Sequence, residues 1–197
     1  KYEETFVVGN IGDPYTSKVL EMTEDSVTVA EVSSFQLETI MDFRPDVSAI
    51  LNITPDHLNR HGTMENYIRI KECITLNQTE DDSVVLNYDD PVLREFGQDP
   101  ELKPRVIWFS SREKLSDGFC MSGDNIVYCQ KGRETILVNV RDMKLLGRHN
   151  YENVMAAAAI GLEMGVALAD IGRVAESFNP VEHRIEFVRE RTGVRYY

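Results

Sequence analysis

Cysteine is scarce: Cys73, Cys120 and Cys129 are the only three, an odd number with no Cys-x-x-Cys spacing. That excludes a zinc ribbon and a small disulfide-stapled scaffold. Long apolar runs are missing as well. No stretch approaches the roughly 20 apolar residues that a spanning helix needs, so no membrane insertion is expected. The opening residues Lys-Tyr-Glu-Glu carry no signal-peptide pattern. Positive charge is the third shortage, with 21 Lys and Arg against 33 Asp and Glu and a formal net charge of −12. A field of that sign repels phosphate backbones and anionic headgroups, which argues against nucleic acid and membrane as partners. Internal repeats and low-complexity tracts are also missing. What remains is an ordinary balance, 42% hydrophobic and 27% charged, which excludes a disordered chain. The expectation is a cytoplasmic, acidic protein of one domain, or one domain with a small appended sheet.

Strand and helix signals alternate along the first half. An apolar strand at residues 5–8 ends in Gly9-Asn10-Ile11-Gly12, and residues 14–22 suit a short helix. A β-rich run at 27–32 is followed by Ser33-Ser34, a helix N-cap signal, and a helix through Phe35, Leu37 and Ile40. The near-continuous apolar run 47–52 reads as a doubly covered parallel strand, and after a polar loop Thr63 caps a helix carrying Tyr67, Ile70 and Ile74. Strands follow at 84–86 and 106–109, separated by Asp90-Pro91, a cap with proline at the first helical position.

Runs at 119–121, 126–128 and 135–140, around Ser122-Gly123-Asp124-Asn125, form an antiparallel patch. Helices at 150–164 and 168–178 and a hairpin of 184–188 with 194–197 complete the pattern. It predicts an α/β fold: a mostly parallel sheet flanked by helices, with a small antiparallel β patch. The chain opens without methionine and stops inside a strand-like run, so a piece of a longer protein is expected.

In open α/β sheets ligands bind beyond the carboxyl ends of the strands. Three successive strand ends carry polar groups here: Asn10, then Glu31 and Ser33, then Asp56 and His57. Glu31 closes an apolar strand, where a carboxylate faces a cation or a cleft, or else caps the next helix. His57 and His61 lie on one Pro/Gly-bounded loop, either as imidazole ligands or as surface histidines. Asn150 and Asn153, three apart, can turn both amides to one side of a helix, as an adenine edge requires; Asn150 as an N-cap is the alternative. Lys71 stands one turn beyond Tyr67 among Ile68, Ile70 and Ile74, where a helical lysine ordinarily reaches solvent.

Six stretches in register resemble the Mur ligases. They are Gly9-Asn10-Ile11-Gly12, Glu31-Val-Ser-Ser-Phe-Gln-Leu-Glu38, Leu51-Asn-Ile-Thr-Pro-Asp-His-Leu-Asn-Arg-His61, Lys71, His149-Asn150-x-x-Asn153 and Pro180-Val-Glu-His-Arg-Ile-Glu-Phe-Val188. The resemblance covers nearly the whole chain, residues 1–197, and implies the family's central ATP-binding domain with its P-loop-type mononucleotide-binding fold. Ser33-Ser34-Phe35-Gln36-Leu37 and His183-Arg184 most resemble the branch that adds D-glutamate to UDP-N-acetylmuramoyl-L-alanine.

The resemblance implies an ATP-dependent amide ligase working through an acyl phosphate with two Mg2+ ions. Glu31, His57 and a carbamylated Lys71 would be the metal and catalytic residues, and Asn10 and Ser33 would bind substrate. Asn150, Asn153 and Arg184 would bind nucleotide. Asn59 departs from the family's usual Asp beside the metal loop. No Gly-x-x-x-x-Gly-Lys-Ser/Thr loop occurs in the chain, whereas the family carries one just upstream of the matching region. That loop, the UDP-binding N-terminal domain and the C-terminal domain are expected to lie outside these residues, leaving the chain inactive alone. The alternatives are another Mur branch, a folylpolyglutamate synthase-like ligase sharing this domain, or a non-catalytic acidic α/β binding module.

Overall fold

The computed structural model describes residues 4–180 and 189–196. It divides into two compact units: one runs to Pro45 and includes Thr54–Thr79, and the other holds Asp46–Ile53 and the chain from Glu80 onward. The expectation was one domain, or one domain with a small appended sheet; the paired β-strands of the first unit and the six-stranded sheet of the second fall in different units.

In the first unit, strands β1 (Glu4–Gly9) and β2 (Ser26–Glu31) pair in parallel, Glu4 opposite Ser26 through Gly9 opposite Glu31. Between them α1 (Tyr15–Lys18) is one turn, much shorter than the 14–22 expected. Helix α2 (Ser34–Leu37) is likewise one turn and stops before Ile40. α3 (Leu58–His61) occupies the loop expected to be irregular. α4 (Met64–Glu72) begins as read, with Thr63 Oγ1 accepting the Asn66 N–H at 3.2 Å. Its buried face carries Tyr67 and Ile70.

The second unit is a six-stranded sheet in the order β3-β4-β5-β6-β7-β8. β3 (Val47–Ile50), β4 (Ser83–Asn87), β5 (Arg105–Ser110) and β6 (Gly118–Ser122) run parallel; β7 (Asn125–Gln130) and β8 (Arg133–Asn139) return antiparallel. The expected patch is therefore an extension of the parallel sheet through β6. All five residues of β4 are buried, as a central parallel strand covered on both faces requires. Asp90 caps α5 (Pro91–Phe96), accepting from Val92 N at 2.9 Å and Leu93 N at 3.2 Å.

Helix α6 (Arg148–Glu163) lays Met155, Ala156, Ala158 and Ala159 into a core with Val85, Phe109, Phe119 and Ile126. Alanines permit that close approach. α7 (Leu168–Ser177) comes closer still to β8, where a Cβ on Gly172 would sit 2.5 Å from the Leu137 carbonyl oxygen. The closing hairpin exists as β9 (Arg189–Arg191) and β10 (Val194–Tyr196). Its expected first strand, 184–188, lies outside the described residues, as do His183 and Arg184.

Candidate functional site

The carboxyl ends of β1 and β2 meet. Gly9 and Glu31 are register partners, and the Asn10 N–H donates to the Glu31 carbonyl at 2.8 Å. The chain reverses there, with Gly9 N–H donating to Asp13 O at 2.9 Å. Asn10 and Glu31 are thereby set side by side, both exposed. Two residues on, Ser33 forms a reciprocal cap: its Oγ accepts from Gln36 N at 3.4 Å while Gln36 Oε1 accepts from Ser33 N at 2.8 Å. The Ser33 hydroxyl is thus engaged locally, and Glu31 is not the cap of α2.

His57 takes the left-handed conformation at φ 50°, ψ 28°, which costs a non-glycine residue on the order of 1 kcal/mol. Asp56 supports it: Oδ1 accepts the His57 N–H at 2.8 Å, and Oδ2 lies 3.4 Å from Nε2. The imidazole leans on Phe35 of α2, ring centres 4.9 Å apart. His61, four residues on, has a fully buried side chain. Its Nε2 is 3.0 Å from Ser34 Oγ. Its Nδ1 lies 3.2 Å from Glu38 Oε1, off the line of a hydrogen bond.

Arg60 holds the other Glu38 oxygen at 2.7 Å. Hydrogen bonding to the Arg60 guanidinium keeps the Glu38 carboxyl below the usual range despite some desolvation, and raises the arginine in return. The His61 ring stacks on Phe35 at 5.5 Å and touches Tyr67 at 5.3 Å. Lys71 is half-buried, its Nζ 5.5 Å above the Tyr67 ring, so it does not simply reach into solvent. A cation–π contact of this kind contributes about 0.5–1 kcal/mol.

In the second unit Asn150 is the third residue of α6, and Gly147 is its N-cap. The Asn150 amide donates to Leu146 O at 2.7 Å, so it ties down the preceding loop and does not cap the helix. Asn153 is exposed one turn later. Between them stands Glu152, whose Oε1 accepts from Ser111 Oγ at 2.5 Å. Ser111 also donates its N–H to Asp89 Oδ2 at 2.8 Å, and Ser110 Oγ donates to Asp89 Oδ1 at 2.6 Å. The first turn of α6 is therefore fastened to the ends of β4 and β5.

The sequence reading missed Asp89, Ser111 and Glu152 in that role, and Ser34, Glu38 and Tyr67 around His61. The signal was present only in hindsight, as polar residues just beyond strand ends. Among the described residues, no three His, Cys, Asp or Glu side chains gather closely enough to hold a metal by themselves. Nor is any helix of the described residues long and apolar enough to cross a membrane.

The family model for the Mur ligase middle domain matches residues 5–161. The chain belongs to the Mur ligase family. A UDP-N-acetylmuramoylalanine–D-glutamate ligase of Lachnospira eligens is 54% identical over 195 residues, covering 99% of this chain and 43% of the relative. One of Lachnoclostridium phytofermentans is 50% identical over 196 residues, covering 100% of this chain and 43% of the relative. The chain thus spans less than half the length of the curated relatives it matches.

The Mur ligase fold is independently apparent in structures of low identity. A MurF ligase from Thermotoga maritima in complex with ADP superposes with a TM-score of 0.64 at 16% identity, covering 99% of this chain and 52% of that one. A MurF from Acinetobacter baumannii gives 0.65 at 16% identity, over 96% and 48%. The α/β fold with its mostly parallel sheet is that of this family.

Proposed function

We propose that this chain is the central, ATP-binding part of a cytoplasmic ligase that adds D-glutamate to UDP-N-acetylmuramoyl-L-alanine in peptidoglycan synthesis. The observation that carries the reading is the grouping of Asn10, Glu31 and Ser33 on adjoining strand ends, with His57 resting on the helix that Ser33 caps. The names of relatives half-identical over the whole chain support the choice of D-glutamate.

The residues fit a hard divalent cation in donor chemistry. Glu31 offers exposed carboxylate oxygens, and His57 presents an imidazole from a backbone held in place by Asp56. Two Mg2+ ions, when bound, would neutralise crowded phosphate and carboxylate oxygens. Glu31, His57 and a carbamylated Lys71 would hold them. The perch of Lys71 over Tyr67 is that of the uncarbamylated ammonium.

In the proposed reaction the γ-phosphoryl group of ATP passes to the alanine carboxylate, releasing ADP. The D-glutamate amine then attacks the activated carbonyl carbon, loses a proton, and phosphate leaves. Asn10 and Ser33 orient the carboxylate end of the acceptor, while Asn150, Asn153 and Arg184 contact the nucleotide. The phosphate loop and the domains binding UDP and D-glutamate are supplied by sequence other than these 197 residues. Without that loop's backbone N–H cradle and lysine the isolated chain has no ligase activity.

The test is an assay of the full-length protein with D-glutamate, L-lysine, meso-diaminopimelate and L-alanine, each against the family's acceptors. Phosphate release that requires both D-glutamate and UDP-N-acetylmuramoyl-L-alanine supports the reading. Preference for another amino acid moves the protein to a sister branch. Metal-independent ATP binding with no phosphate release would favour a binding module.

A further inference from the structure

The metal reading uses His57 and Lys71 and leaves His61 without a task, yet His61 is the buried member of the group. Its imidazole is enclosed on four sides by named partners. Ser34 Oγ stands 3.0 Å from Nε2, and Glu38 Oε1 stands 3.2 Å from Nδ1. Phe35 stacks on one ring face at an interplanar angle of 23°, and Tyr67 leans on it at 39°. Those two aromatic rings are also the ones that touch the candidate metal residues: Phe35 carries His57, and Tyr67 carries the Lys71 ammonium. His61 is therefore the middle of an unbroken row, His57, Phe35, His61, Tyr67, Lys71.

We infer that His61 is a positioning residue, pinned by Ser34 and Glu38, that sets the His57 and Lys71 side chains through Phe35 and Tyr67. The inference rests on the metal reading for its purpose but not for its geometry. Glu38 is ionised beside Arg60 and offers only acceptors, so the ring proton belongs on Nδ1, facing it. Nε2 is then an acceptor, and the Ser34 hydroxyl donates to it. The Ser34 hydrogen bond at Nε2 and the Glu38 carboxylate beside Nδ1 restrain the ring, and the Phe35 and Tyr67 rings packed on it are held with it. Neighbours that orient a metal-ligating side chain ordinarily change metal affinity by about 10–100-fold when removed. The backbone reinforces the row, since Asn66 Nδ2 donates to the His61 carbonyl at 2.8 Å and so ties α3 to α4.

The experiment uses this chain with 15N-labelled histidine, of which it has four. Imidazole nitrogen shifts report the tautomer of His61, and ring-to-ring proton contacts report whether His57 stays against Phe35. Mn2+ binding, read by paramagnetic broadening of His57, is the second readout. The variants are His61→Ala and the milder Ser34→Ala, which keeps the ring but removes its pin. The expected result is the Nδ1–H tautomer in the parent chain, loss of the His57–Phe35 contact in both variants, and Mn2+ affinity weaker by about tenfold.

If His61→Ala fails to fold, Ser34→Ala decides the matter alone. A His57 ring that keeps its shifts and its Phe35 contact when His61 is unpinned overturns the inference, whatever Mn2+ does. Failure of the parent chain to bind Mn2+ at all would count against the metal reading only, and the ring contacts would still judge the positioning role.

Discussion

Gly9 and Glu31 are so closely apposed that a Cβ on Gly9 would lie 2.2 Å from the Glu31 carbonyl oxygen. Gly9 also sits at φ 139°, a region that L side chains rarely adopt. Two adjoining strand ends can carry Asn10 and Glu31 side by side only because that position has no side chain. Gly9→Ala must therefore push β2 away or twist β1, displacing both candidate residues. The expected cost is ~2 kcal/mol or more, from the strain and clash mechanisms together. Urea unfolding of the two chains checks it, and an unchanged midpoint would mean that β1 relaxes freely.

The Glu38–Arg60 pair makes a pH prediction with a definite sign. The Arg60 hydrogen bond lowers the Glu38 pKa in the folded state. A depressed carboxylate adds stability above its unfolded pKa, about 4.3, and loses it as pH falls through the folded value. Replacing Arg60 by Gln should open a stability gap that is full at neutral pH and closes below the ordinary carboxylate range. Because the pair is partly in solvent, with Arg60 61% exposed, the gap should be small and should shrink in 1 M salt. Urea midpoints from pH 7 down to pH 3, with and without salt, test both halves.

The cysteines should differ in reactivity. Cys129 is pushed up to about 12, first by burial and then by the hydrogen bond with Cys120, whose sulfur is 3.5 Å away. Its thiolate is therefore nearly absent at pH 8, and Cys120 is as deeply buried. Cys73 is half-buried, its thiol donating to Arg69 O. Alkylation of the native chain should modify Cys73 first, and the other two only as fast as the second unit unfolds. Mass mapping after iodoacetamide treatment distinguishes these; early labelling of Cys129 would contradict the assignment.

Local chemistry was legible in the sequence, and distant pairing was not. The caps at Ser33, Thr63 and Asp90 could be read because each involves residues within about three positions, and each stands where expected. β3 announced itself by the near-continuous apolar run 47–52. α1 and α2 were overextended, because a few apolar residues at helical spacing do not hold a helix without something to pack on. α3 was unreadable because its N-cap is a strained His57, not one of the usual capping residues. The contacts that organise the site are remote in sequence: Ser34 and His61 are 27 positions apart, Ser111 and Glu152 are 41 apart. Nothing in either local pattern indicates its partner, and a buried histidine looks like any loop histidine until the fold is closed.

Lys71 offers the sharpest test of the proposed chemistry, made on the full-length protein. A carbamate forms only on a neutral amine, and the Lys71 nitrogen lies 5.5 Å above the Tyr67 ring. Under the proposed chemistry, uptake of carbon dioxide at this nitrogen would give a carboxylate-like anion on a long stem. Lys71→Ala should remove most ligase activity. Lys71→Arg should not restore it, because guanidinium stays protonated and cannot take up carbon dioxide in this way. Acetate or formate should return part of the activity to the alanine variant by filling the vacated anionic position, and should do nothing for the arginine variant. Near-normal turnover by Lys71→Arg would show instead that a plain cation over Tyr67 is all the position requires.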